Sequence, residues 1–127
     1  MLSAASFLAE RKIAVPVLLG DRRAVENAAT EGGFPLPGVE ILDMAGLPDK
    51  NGLAQKLFER RKTKGLSLEA AHGLLTDPLY AAAMLLAVGS ADGLLAGAVR
   101  STADTVRAAF ACLGLARGAE TIFGAFL

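Results

Sequence analysis

Two stretches of the chain combine residue types able to hold an anion. The first is Phe58-Glu59-Arg60-Arg61-Lys62-Thr63-Lys64-Gly65, a basic helix end. Cations favour the negative pole of a helix dipole, so Arg60, Lys62 and Lys64 read equally well as a solvated last turn. Arg61 differs. At about 100° per residue, Ala54, Leu57 and Phe58 define an apolar stripe, and Arg61 falls close to its centre. A guanidinium on an inward stripe needs an anionic partner, because an unpaired buried charge is costly. That partner is either a protein carboxylate or a bound phosphate, which arginine chelates well.

The second stretch is Gly97-Ala98-Val99-Arg100-Ser101-Thr102-Ala103-Asp104-Thr105-Val106-Arg107. It reads as a strand end feeding a helix start, the usual ligand edge of an open α/β sheet. Free amides and the helix dipole attract anions there. Ser101 and Thr102 add hydroxyls, and Arg100 and Arg107 add positive charge. A purely structural reading stands beside this one. Ser101 with Asp104 resembles a capping box, with Asp in place of Glu or Gln, and Asp104 with Arg107 suits an i,i+3 pair. Elsewhere the chemistry is thin. His72 has only Glu69 near it at ligand spacing, so no metal site is expected. Cys112, between Ala111 and Leu113, reads as a small core residue. The glycines form neither a dinucleotide fingerprint nor a P-loop.

The elements that must position these residues alternate along the chain. Ser3 to Lys12 is expected as a helix and Ile13 to Leu19 as a strand, followed by a helix capped by Asp21 and running to about Thr30. A loop rich in Gly and Pro leads to a strand at Val39 to Leu42. Helices then open at Pro48-Asp49, Ser67 and Asp77-Pro78, the last stopped by Gly89. Gly93 to Val99 is expected as a central strand, Ser101 to about Leu115 as a helix, and Thr121 to Leu127 as a final strand. This alternation predicts an α/β class, with helices flanking a mainly parallel sheet.

Composition supports that class and removes others. Of 127 residues 53% are hydrophobic, which suits buried parallel strands between close-packed helices. Thirteen basic side chains balance thirteen acidic ones, which argues against a nucleic-acid partner. One cysteine excludes an internal disulfide and makes a reducing cytoplasm the default. The apolar segment Pro78 to Val99 is long enough for a membrane span, but Gly89-Ser90-Ala91-Asp92-Gly93 in its middle is turn chemistry, so no membrane partner is expected. The first helix opens uncapped and the last strand has no helix after it to cover its apolar face, so the chain is expected to be a piece of a longer protein.

At the two anion-suited stretches the chain resembles the phosphate acetyltransferase and phosphate butyryltransferase family. The resemblance rests on the string from Phe58 to Ala71, then Asp77-Pro78-Leu79-Tyr80, Ala91-Asp92-Gly93-Leu94-Leu95-Ala96-Gly97-Ala98, and Ser101-Thr102-Ala103-Asp104-Thr105-Val106-Arg107. It covers nearly all of residues 1–127, as part of a family member's first domain without its opening strand and helix or its second half. It implies a three-layer α/β/α sandwich within a two-domain acyltransferase. The implied reaction is reversible: acetyl-CoA and inorganic phosphate give acetyl phosphate and CoA. Coenzyme A is then a substrate, and no covalently bound cofactor is implied. Arg61 and Arg107 map onto arginines that serve CoA or phosphate, and Ser101 and Thr102 would lie beside the phosphoryl group. The family's catalytic aspartate comes from its second half, so no catalytic residue is expected in this chain, and the chain alone is expected to be inactive. Three departures, Ala96, Arg100 and Ala108, leave the acyl preference open. Two other readings remain: a non-catalytic acyl-CoA-sensing domain such as that appended to malic enzymes, and a self-associating fragment forming a homodimer.

Overall fold

In the computed structural model, residues 1–116 and 118–121 are described, and they divide into two compact units, Met1–Asp49 and Lys50–Leu127. The first unit is α/β. Its helix α1 (Leu2–Glu10) turns inward Ala5 and Ser6. Strands β1 (Val17–Leu19) and β2 (Glu40–Leu42) pair in parallel, with Val17 opposite Glu40 and Leu19 opposite Leu42. Helix α2 (Arg22–Gly32) connects them. Its start is fixed by Asp21, whose carboxylate accepts from the Ala24 amide at 2.7 Å. Its end is fixed by Gly33 at φ 67, a left-handed turn that glycine enters without a Cβ clash. Arg22 donates to the Ile41 carbonyl at 2.8 Å and so ties α2 to β2.

The first strand is shorter than the apolar run from Ile13 predicts. Pro16 lacks an N–H and interrupts the ladder on that side, although its carbonyl still accepts from Glu40 at 2.8 Å. Ile13 and Val15, ahead of the proline, are exposed.

The second unit is helical: α3 (Lys50–Arg61), α4 (Leu68–Leu74), α5 (Pro78–Ala87) and α6 (Thr102–Cys112). Its core joins Leu53, Ala54 and Leu57 of α3 to Ala81, Ala83 and Met84 of α5 and Ala108 and Cys112 of α6. The alanines let the helix axes approach, and Leu57, Leu75, Met84 and Cys112 fill the space between them. Each of α4, α5 and α6 begins at a side-chain cap, from Ser67, Asp77 and Ser101 in turn. No helix among the described residues is long and apolar enough to cross a membrane.

One expected element needs correction. Gly93–Val99 is not a strand but an irregular connection, with Leu95 78% and Val99 93% exposed. An apolar run becomes a strand only against a neighbour that takes up its N–H and C=O groups. The single ladder among the described residues joins β1 to β2. Gly97, at φ 108, also turns the backbone out of the extended region. The expected final strand, Thr121 to Leu127, lies outside the described residues but for Thr121.

Candidate functional site

Helix α6 starts at Ser101, whose backbone is extended while the next residue is helical. The Ser101 hydroxyl accepts from the Asp104 amide at 3.1 Å and donates to the Asp104 carboxylate at 2.7 Å. The other Asp104 oxygen accepts from Arg107 Nη1 at 2.6 Å. The Ser101 hydroxyl, then the Arg107 guanidinium, hold the Asp104 carboxyl below its ordinary pKa. Of the two sequence readings of this turn, the structure realises the capping and i,i+3 pairing. Ser101 spends its proton on Asp104, and Arg107 rests against the same carboxylate. What remains for an anion is the Thr102 hydroxyl with the Thr102 and Ala103 amides. They are exposed and without a hydrogen-bond partner among the described residues. These amides point out of the positive end of an 11-residue helix.

Arg100 is engaged as well. Its Nη2 donates to Asp77 Oδ1 at 3.0 Å, and that same oxygen caps α5 by accepting from the Leu79 amide at 2.9 Å. Sequence reasoning found both residues, one as a helix opener and the other as extra positive charge, but not their pairing. A contact across 23 residues leaves no periodic trace in a sequence.

Arg61 closes α3, one step beyond the buried Leu57 face, and is half-buried. No carboxylate pairs with it among the described residues. Of the two partners that its position called for, the protein carboxylate is therefore absent from its surroundings. Arg60 and Arg61 lie close enough for their charges to act on Cys112, toward the C-terminal end of α6. The site residues thus fall into two groups, one at the start of α6 and one near its far end. Ser101, Thr102 and Arg107 share its first two turns, and Arg61 approaches its far end. An open cleft of about 380 Å³ is lined by Lys56, Glu59 and Arg60 of α3 with Ala87 and Val88, and Arg61 is not part of its lining. His72 is half-buried on α4, and no group of His, Cys, Asp and Glu suited to a metal occurs among the described residues.

With this geometry in place, comparison with known proteins is specific. Residues 1–127 match the family described as Phosphate acetyl/butaryl transferase. A phosphate acetyltransferase of Acetivibrio thermocellus is 38% identical over 127 residues, which are 100% of this chain and 38% of that protein. One from Bacillus subtilis is 37% identical over 127 residues, 100% of this chain and 39% of its own length. Among solved structures, the EutD phosphotransacetylase from Staphylococcus aureus superposes with a TM-score of 0.83 at 34% identity, over 94% of this chain and 36% of that one. A phosphotransacetylase from Streptococcus pyogenes gives 0.77 at 36% identity, over 86% of this chain and 33% of that one. The chain thus spans well under half the length of the relatives it matches.

Proposed function

The chain belongs to the phosphate acetyl/butaryl transferase family, and from that premise we propose that it forms part of the substrate site of an enzyme moving a short acyl group reversibly between coenzyme A and inorganic phosphate. The observation that carries this reading is the match along every residue of the chain to phosphate acetyltransferases. The geometry supports it with two separate cationic or donor-rich points, as a long polyanionic substrate and a small anion require.

In the direction of thioester formation, the CoA sulfur attacks the carbonyl carbon of the acyl phosphate. A carbon–sulfur bond forms, the carbon–oxygen bond to phosphate breaks, and phosphate leaves with the bonding pair. The thiol proton must pass to a base. The family resemblance assigns that base to the remainder of the enzyme, and Cys112, buried in the core, does not serve in its place. Thr102 and its neighbouring amides receive the phosphate, and the helix dipole offsets its charge. Arg107 turns from Asp104 to the arriving anion. An exposed pair of this kind is screened by water and worth little, so the exchange costs little. Arg61 meets a phosphate of CoA, the anionic partner that its half-buried position lacks.

The test uses the full reading frame that encodes this chain. Arg61→Ala should raise KM for acyl-CoA, and Arg107→Ala KM for phosphate, each about tenfold or more, as the loss of a charge-assisted hydrogen bond predicts. The melting temperature should stay nearly unchanged. Early unfolding with normal KM values would make both arginines structural and overturn the assignment.

A further inference from the structure

The loop from α5 to α6, residues 88–100, is held to a helix by one side-chain hydrogen bond among the described residues, Arg100 to Asp77. Building on the phosphate-site reading above, we propose that Arg100 and Asp77 are a positioning pair that fixes the anion-facing start of α6 against the first turn of α5. Arg100 immediately precedes the cap residue Ser101, so its anchoring sets where the backbone enters the helix and where the Thr102 and Ala103 amides point. The approach is close: a Cβ on Gly97 would lie 3.8 Å from Thr105 Oγ1, one turn inside α6. Asp77 is suited to the opposite end of the link. Its position is already fixed by capping α5 through Leu79, and its side chain is only 30% exposed. The pair is accordingly better shielded from water and salt than the Asp104–Arg107 pair, whose side chains are 45% and 65% exposed. Leu94, Leu95 and Val99, by contrast, give this loop little burial of their own. Apart from the ion pair, the side-chain hydrogen bonds described at the start of α6 are those of its own first turns.

Cap and clamp are separable by mutation, because asparagine caps a helix as well as aspartate but carries no charge. In the enzyme expressed from the full reading frame, Asp77→Asn, Arg100→Gln, the double variant and Arg100→Lys are assayed from acetyl-CoA and phosphate. Each single neutral variant should raise KM for phosphate about tenfold with kcat within about twofold, and the double should be no worse than either single, as coupled groups behave. Arg100→Lys should recover most of the loss. Hydrogen exchange should quicken at residues 101–105 in the neutral variants and not in Arg100→Lys. Additive losses, or unchanged KM in these variants while Arg107→Ala still raises it, overturn the positioning pair alone. A wild-type enzyme whose acyl transfer does not depend on phosphate overturns the underlying reading and the pair together. Should Arg100→Gln fail to fold, Asp77→Asn and Arg100→Lys decide the question by the same criteria.

Discussion

Cys112 and Arg61 are neighbours with opposite fates, and the difference is solvent. The Cys112 thiol is fully buried and donates weakly to the Tyr80 carbonyl at 3.8 Å. Burial pushes its pKa from 9.0 up to about 11, against the pull of Arg60 and Arg61. The folded state therefore keeps a proton that the unfolded chain releases first. Stability from this group is fully present below the unfolded value and is lost as pH rises from about 9 to about 11. Two outcomes are expected. A thiol reagent at pH 8 should label Cys112 only at the rate of unfolding, and Cys112→Ala should flatten the alkaline fall in stability over that window. Rapid labelling of the native chain would show that the thiol is reachable. Arg61, by contrast, is only half-buried at the end of α3 and has no carboxylate partner among the described residues, which suits it to an anionic ligand.

At the scale of elements, helices were legible because their signals are local. Asp21, Ser67, Asp77 and Ser101 each announce a start, and each caps the helix that follows. The stripe through Ala54 and Leu57 gave the buried face of α3 and the inward lean of Arg61. Strands depend on a partner elsewhere in the chain, and here local pattern misled. Leu94 to Val99 has the composition of a buried strand and lies exposed without a ladder. The site divides along the same line. Ser101, Asp104 and Arg107 were legible because they share two helical turns, whereas Asp77 and Arg100 meet only through the fold. The legible α3 stripe yields a stability prediction. Leu57→Ala should cost about 2–5 kcal/mol in denaturant unfolding, because the helices around it cannot close fully on the cavity. Leu68→Ala, at an exposed position of α4, should stay within about 0.5 kcal/mol. Equal costs would mean that α3 does not centre the core.

For the whole molecule, the decisive quantity is how much of a working site 127 residues contain. They match 38% of one phosphate acetyltransferase and 39% of another. Within them are the helix-start amides and arginines to which the proposed function gives binding and orienting roles. Under the proposed function the base for the thiol proton belongs to the enzyme outside these residues; of the groups near α6, Cys112 is sealed in the core, and Asp104 and Asp77 are paired with arginines. Asp104, stabilised in its charged form, is a weak base, and without a base the CoA thiol near neutral pH is mostly the poorer nucleophile. Binding without activation does not lower the barrier to the chemical step. The purified 127-residue chain, given acetyl phosphate and CoA, should therefore form no thioester above the uncatalysed background, while the enzyme from the full reading frame should form it. Thioester formation that scales with the concentration of the 127-residue chain and disappears in its Arg61→Ala variant would place the base within these residues. In that event His72, the single histidine of the chain, would be the first residue to replace, and the division between binding and catalysis drawn here would fail.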